Sequence, residues 1–145
     1  MDLKIKLLAP DVPVPQYATT GSAAMDLTAH IAEPLTLAPG QRTLLPTGIA
    51  IALPSADYVA LVFARSSMGV KYGIGLSNGV GVIDSDYRGE IRVGLTNHSD
   101  VPYTIQPGDR VAQLAVVPVV QANVQIVDEL DQTDRGAGGF GSTGK

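Results

Sequence analysis

The chain has 145 residues, with ten basic and fourteen acidic side chains for a formal charge of −4, no cysteine, no tryptophan, 16 glycines and 10 prolines. That length suits one domain with its own core, and the lack of cysteine excludes both a disulfide framework and a thiolate metal site. The acidic balance has the wrong sign for a protein that coats phosphate backbones, so no nucleic-acid partner is expected and any phosphate must be gripped locally.

In chain order, the N-terminal stretch is charged at Asp2, Lys4 and Lys6 and polar again by Asp11, which lacks the apolar run of a secretory signal. No apolar run approaches the roughly 20 residues of a bilayer span, so a soluble chain without membrane contact is expected, and the lack of cysteine is compatible with the reducing cytoplasm as its location. Leu3, Ile5 and Leu7 alternate with Lys4 and Lys6 as in a half-buried strand. Strands are also predicted around Asp26, over the apolar run Tyr58 to Phe63, and at Ile91, Val93 and Leu95. Turn signals separate them at Ala38-Pro39-Gly40, Leu53-Pro54-Ser55, Asn78-Gly79, Asn97 to Asp100 and Gln106 to Asp109. Asn78-Gly79 reads as the tight turn of a hairpin.

Glycine or proline interrupts most helical windows. One or two helical turns are predicted near Ser66 to Tyr72, with Ser66 or Ser67 as a cap. The segment Val111 to Val127 is apolar on both alternating faces around Pro118, and such a strand needs two covers, a second sheet or a neighbouring subunit. Many short strands with close turns predict an all-β sandwich, jelly roll or barrel.

From Asp128 the composition changes to five glycines and four acidic residues, with only Leu130 and Phe140 as large apolar side chains. Too little surface can be buried there for the segment to order itself, which predicts a domain over 1–127 and a flexible tail over 128–145. Gly136 to Gly141 satisfies the dinucleotide pattern, but no strand is predicted before it, and Gly139 to Lys145 imitates a Walker A loop without a helix to follow. Neither is expected to work as such. The glycines nonetheless let backbone N–H groups approach an anion, with Arg135, Ser142, Thr143 and Lys145 adding donors and charge.

Several polar residues stand where a β protein wants apolar ones. Arg65, Ser66 and Ser67 follow an apolar strand, an arrangement suited to a bidentate grip on phosphate, although Arg65 could equally pair with a buried carboxylate. Asp84 follows Val82 and Ile83 and is either a turn former or a base. Gln113 lies inside an apolar strand and requires a backbone or ligand partner. Asp26 calls for a hard cation or a structural arginine. His30 and His98 lack neighbours at ligand spacing and read as surface or loop residues.

In this order the segments Ala23-Ala24-Met25-Asp26-Leu27, Ala64 to Gly69, Asn78 to Gly89, Gly108 to Leu114 and Asp134 to Gly144 resemble the five motifs of the trimeric dUTP nucleotidohydrolases (dUTPases). Ala24 and Ser67 stand where glycine is frequent in that family and are expected to be tolerated. The resemblance implies a distorted jelly roll or barrel-like sandwich with one short helix, hydrolysing dUTP to dUMP and pyrophosphate by attack of water on the α-phosphorus. It implies Asp84 as the general base and Mg2+ as cofactor, reached from Asp26 through water. Arg65, Ser66 and Ser67 would hold phosphates, with Gln113 on the α-phosphate. Asn78 and the backbone of Val82 and Ile83 would read uracil, and Tyr87 would pack beneath the sugar. Arg135, Phe140, Gly141, Ser142 and Thr143 would close over the site from a neighbouring subunit of a homotrimer, Phe140 stacking on uracil and Arg135 meeting the γ-phosphate. The alternatives are a dCTP deaminase of the same superfamily and a non-catalytic nucleotide-binding β module.

Overall fold

A computed structural model describes residues 1–139. Phe140, Gly141, Ser142, Thr143 and Lys145, which carry part of the expected tail site, lie outside the described residues. The described chain folds into eleven short strands and one helical turn: β1 (Lys4–Leu7), β2 (Met25–Thr28), β3 (Leu35–Leu37), β4 (Arg42–Pro46), β5 (Ile49–Ala52), β6 (Tyr58–Phe63), β7 (Ile74–Leu76), β8 (Gly81–Ile83), β9 (Arg92–Asn97), β10 (Tyr103–Ile105) and β11 (Arg110–Pro118).

The strands form four small sheets, ordered β1-β5, β10-β3, β2-β11-β6-β8 and β4-β9-β7, and every pairing is antiparallel. None closes on itself among the described residues, so the architecture is an open, jelly-roll-like arrangement rather than a barrel. One contiguous core joins them, with Leu27, Leu37, Leu45, Ile51, Val62, Ile74, Leu95, Ile105 and Leu114 drawn from nine different strands. Burying a side chain of this size removes enough apolar surface from water to contribute about 1.5–3 kcal/mol.

The predicted alternation is clearest in β9, where Val93 and Leu95 are buried, and in Ile91 just before it, also buried. It is weakest in β1, where Ile5 is half-buried and Leu7 exposed. Three local expectations are corrected. The short helix stands where it is expected, as a π turn over Ser67–Lys71, but Ser66 at its start makes no capping hydrogen bond with its side chain. The Asn78-Gly79 turn does not close a hairpin, because β7 before it pairs with β9 while β8 after it pairs with β6. Gly79, at φ +73°, therefore carries the chain from one sheet to another. Last, the strand that opens at Arg110 ends at Pro118, so Val119 and Val120 lie beyond it and are exposed. Proline lacks the N–H that would continue the ladder.

The two-faced character of β11 is real up to Pro118. Ala112 and Leu114 are buried against the core, whereas Gln113, Ala115 and Val117 on the other face are half-buried. Directly paired residues share a face, so Phe63, Leu61 and Val59 of β6 lie beside Gln113, Ala115 and Val117. Val82 lies beside Leu61 on the same outer face and is exposed.

Candidate active site

Asp26 stands on the outer face of the four-stranded sheet because its register partner is Gln113, which in turn faces Phe63. Its neighbours Met25 and Leu27 point the other way into the core. The carboxylate is satisfied twice: Arg65 Nε donates to Oδ1 at 2.7 Å and Arg110 Nη1 donates to Oδ2 at 3.0 Å. Arg65 Nη1 also reaches the Arg110 carbonyl oxygen at 3.4 Å. The structural arginine considered for Asp26 is present, and the Arg65 guanidinium is thereby paired. Gln113 Nε2 donates to the Ala64 carbonyl at 3.0 Å, so the strand amide has a backbone partner and leaves its own oxygen available. Ser66 and Ser67, three and four residues past the end of β6, are exposed.

Arg110 was not singled out from the sequence. A register shift between Arg110 and Ala112 in the pairing of β11 with β2 brings it beside Asp26. Such a bulge re-aims a side chain without any local sequence mark as strong as a glycine turn.

A second group of residues lines a cavity of about 290 Å³ bounded by Leu44, Val82, Ile83, Asp84, Tyr87 and Glu90, with Ile91 and Arg92. Asp84 follows β8 directly and is exposed. A turn closed by Tyr87 N–H donating to the Asp84 carbonyl at 3.2 Å returns the chain toward the cavity. Arg88 Nη1 braces this turn through the carbonyls of Ser85 at 2.7 Å and Tyr87 at 2.9 Å. Asn78 is exposed at the sheet-switching turn before β8. Gly81 lies so close to Val62 that an added Cβ would stand 3.0 Å from the valine Cβ, which explains a glycine there.

The two groups are not neighbours within one chain. Asp84 continues β8 one residue past the Ala60–Ile83 pair, opposite Val59, whereas Gln113 faces Phe63. Four residues along the strand and two strand spacings across the sheet put the backbones of Asp84 and Gln113 roughly 16 Å apart. Arg135 lies farther along, on the exposed segment after β11, where its Nε donates to the Gly138 carbonyl at 3.0 Å in a local turn. His30 lies 3.4 Å from the Asp11 carboxylate and His98 is exposed; neither borders the cavity.

Among the described residues no group of three or more His, Asp or Glu side chains could hold a metal ion. The donor set, one carboxylate already bonded to two guanidinium groups, therefore fits a divalent cation only through intervening water.

The jelly-roll-like β fold is one seen among solved nucleotide-hydrolysing enzymes. A mutant dUTPase of Staphylococcus bacteriophage 80alpha, bound to dUpNHpp, superposes with a TM-score of 0.89 over 99% of each chain at 26% identity. The dUTPase of phage phi11, in a mutant reported with a coordinated structural Mg(II) ion, shares the fold with a TM-score of 0.80 over 91% of this chain at 23% identity. Among curated proteins, the deoxyuridine 5'-triphosphate nucleotidohydrolase of Paraburkholderia phymatum is 54% identical over all of this chain and 99% of its own length. That of Desulfitobacterium hafniense is 53% identical over 90% of this chain and 87% of its own. The dUTPase family profile matches residues 11–144, and the chain belongs to the dUTPase family.

Proposed function

We propose that the chain hydrolyses dUTP to dUMP and pyrophosphate, limiting uracil incorporation into DNA and supplying dUMP for thymidylate synthesis. The observation that carries this reading is the cavity lined by Val82, Ile83, Asp84 and Tyr87, in a chain whose family profile and full-length relatives are dUTPases. Neither the dCTP deaminase nor the non-catalytic module is favoured by those relatives.

Asp84 activates the attacking water as general base, a role open to an exposed carboxylate once the water lies in line with phosphorus. Arg65, Ser66 and Ser67 hold phosphate oxygens, and Gln113 addresses the α-phosphate. Arg65 reaches toward phosphate with one edge of its guanidinium while Nε stays on Asp26, which fixes the fork before substrate arrives. The backbone of Val82 and Ile83, with Asn78, presents uracil with its matching donors and acceptors. Cytosine would leave those groups unpaired, a loss large enough for strong discrimination. Tyr87 packs beneath the deoxyribose and leaves no space for a 2′-hydroxyl. Mg2+, held by the triphosphate and reached from Asp26 through water, supplies charge withdrawal when bound.

A general base works within about 3 Å of its proton or through one water, so if Asp84 and Gln113 of one chain served the same phosphorus, extended side chains, phosphate and water would together have to bridge the roughly 16 Å between their backbones. This separation supports active sites shared between copies in a homotrimer. The half-buried outer face formed by Leu61, Phe63, Ala115 and Val117 supplies apolar surface for such packing. Residues 1–127 are the catalytic domain in this reading, and 128–145 form a tail that closes over a neighbouring site through Arg135, Phe140, Gly141, Ser142 and Thr143. The substrate belongs to the free nucleotide pool, which makes the cytoplasm the proposed location.

Parallel hydrolysis of dUTP, dTTP, dCTP and UTP with magnesium tests the activity. Pyrophosphate from dUTP alone is expected, and ammonia release from dCTP instead would overturn it. Asp84→Ala should lower kcat for dUTP by about 10²–10⁴-fold, and an unchanged kcat would remove Asp84 as the base. Deleting 134–145 should abolish turnover while sedimentation still reports the trimer.

A further inference from the structure

The Tyr87 ring lies against the α-carbon of Gly89, two residues on. Gly89 has no special backbone angle, so its identity is not explained by φ. Space explains it: a Cβ at Gly89 would run into the Tyr87 hydroxyl and Cζ and stand 3.0 Å from Cε2. The hydroxyl itself donates to the Glu90 carbonyl at 3.1 Å.

That carbonyl belongs to a firmly held peptide. Ile91 N–H, on the same peptide plane, donates to Ile49 O at 2.8 Å, and Thr47 Oγ1 donates to Ile91 O at 2.6 Å. The Glu90 carboxylate adds a second fastening. Its Oε1 accepts from Gly48 N–H at 2.9 Å and its Oε2 from Arg92 Nε at 2.9 Å, although Glu90 lines the cavity. A side chain that borders the cavity thus commits both oxygens to the protein, one to the Gly48 backbone and one to Arg92, which also lines the cavity.

We propose that Gly89 and Glu90 are positioning residues for Tyr87. The bare α-carbon of Gly89 seats the ring, the anchored Glu90 carbonyl holds its hydroxyl, and together they fix the surface against which the sugar is read. The inference rests on Tyr87 being the sugar platform. Its consequence is that selection for deoxyribose depends on two residues that touch neither sugar nor phosphate.

Gly89→Ala isolates the effect, because the clash falls on the far end of a side chain that can swing away while the backbone angle suits alanine. The variant is expected to melt within a few degrees of the parent. Its ratio of kcat/KM for dUTP over UTP should fall about tenfold, the ring having left its seat. Tyr87→Phe keeps the ring and loses only the hydroxyl bond, so a smaller fall of a few-fold is expected. Glu90→Ala should reduce the ratio and Glu90→Gln, which can still accept from Gly48, should restore most of it.

Since Gly89 acts through the ring, adding Gly89→Ala to Tyr87→Ala should change the ratio no further, a non-additivity read by a double-mutant cycle. An unchanged ratio in Gly89→Ala beside a collapsed one in Tyr87→Ala would overturn the positioning role alone. An unchanged ratio in Tyr87→Ala would overturn the sugar platform itself. Should Gly89→Ala fail to fold, Tyr87→Phe and the Glu90 pair decide the same question.

Discussion

Both oxygens of Asp26 are committed to guanidinium groups, one from the end of β6 and one from the start of β11, and the carboxylate is about four-fifths buried at 22% side-chain exposure. Two arginines placed this close repel each other unless the acid between them is charged. Asp26→Asn keeps the shape and at most one of the two hydrogen bonds, since its amide nitrogen cannot accept, and leaves the positive charges facing each other across a half-buried crevice. Charge-assisted bonds of this kind contribute about 1.5–3 kcal/mol each, so a loss of about 2 kcal/mol in stability is expected, read as a lower urea midpoint with unchanged slope. Affinity should suffer differently. A loosened Arg65 no longer meets phosphate in a fixed geometry, so KM for dUTP should rise more than kcat falls. An unchanged urea midpoint would show that the pair is held by packing instead of charge.

At the scale of elements, the corner after β9 is tied by one side chain. Asn97 is fully buried; its Nδ2 donates to Leu37 O at 3.0 Å and Val101 O at 2.8 Å, while its Oδ1 accepts from Ser99 N–H at 2.9 Å and Ser99 Oγ at 2.7 Å. One residue thereby fastens β9 to the end of β3 and to the loop leading into β10. Asn97→Ala strands several buried polar groups at once and should destabilise the chain by about 2–4 kcal/mol, since each orphaned group costs about 1–3 kcal/mol. Ser99→Ala, which removes fewer of these bonds, should cost less, and equal midpoints for the two variants would refute the assignment. The local rules that foretold β9 from Ile91, Val93 and Leu95 could not foretell this corner, because Leu37 lies 60 residues away. The same limit explains the other departures. Asn78-Gly79 carries the turn chemistry of a hairpin, yet whether its flanking strands pair depends on β9 and β6, which claim them separately. Asp26 announced a need for a partner, but its two arginines stand 39 and 84 residues on. Strand existence and the odd polar residue were thus legible in the chain, while the identity of each partner waited on topology.

For the whole molecule, the decisive observation is that the group around Gln113 and Arg65 and the group around Asp84 lie well apart on one sheet. Gln113 and Arg65 stand at one end of the four-stranded sheet, and Asp84 stands at the opposite edge and four residues along. In a cyclic trimer a heterologous contact repeats around the axis, so each site would take Asp84 from one copy and Gln113 from the next. Two inactive variants then complement each other. Asp84→Asn and Gln113→Ala subunits, denatured together in equal amounts and refolded, should assemble at random, with about three-quarters of the trimers mixed. Whichever way a mixed ring is ordered, one of its three sites receives an intact Asp84 and an intact Gln113. The refolded mixture should therefore recover about a quarter of the parent activity, although neither variant shows turnover alone. A site built within one chain predicts none, because every subunit carries one defect. Activity near a quarter, appearing only after joint refolding and not after mixing of the folded variants, would assign the two groups to different copies.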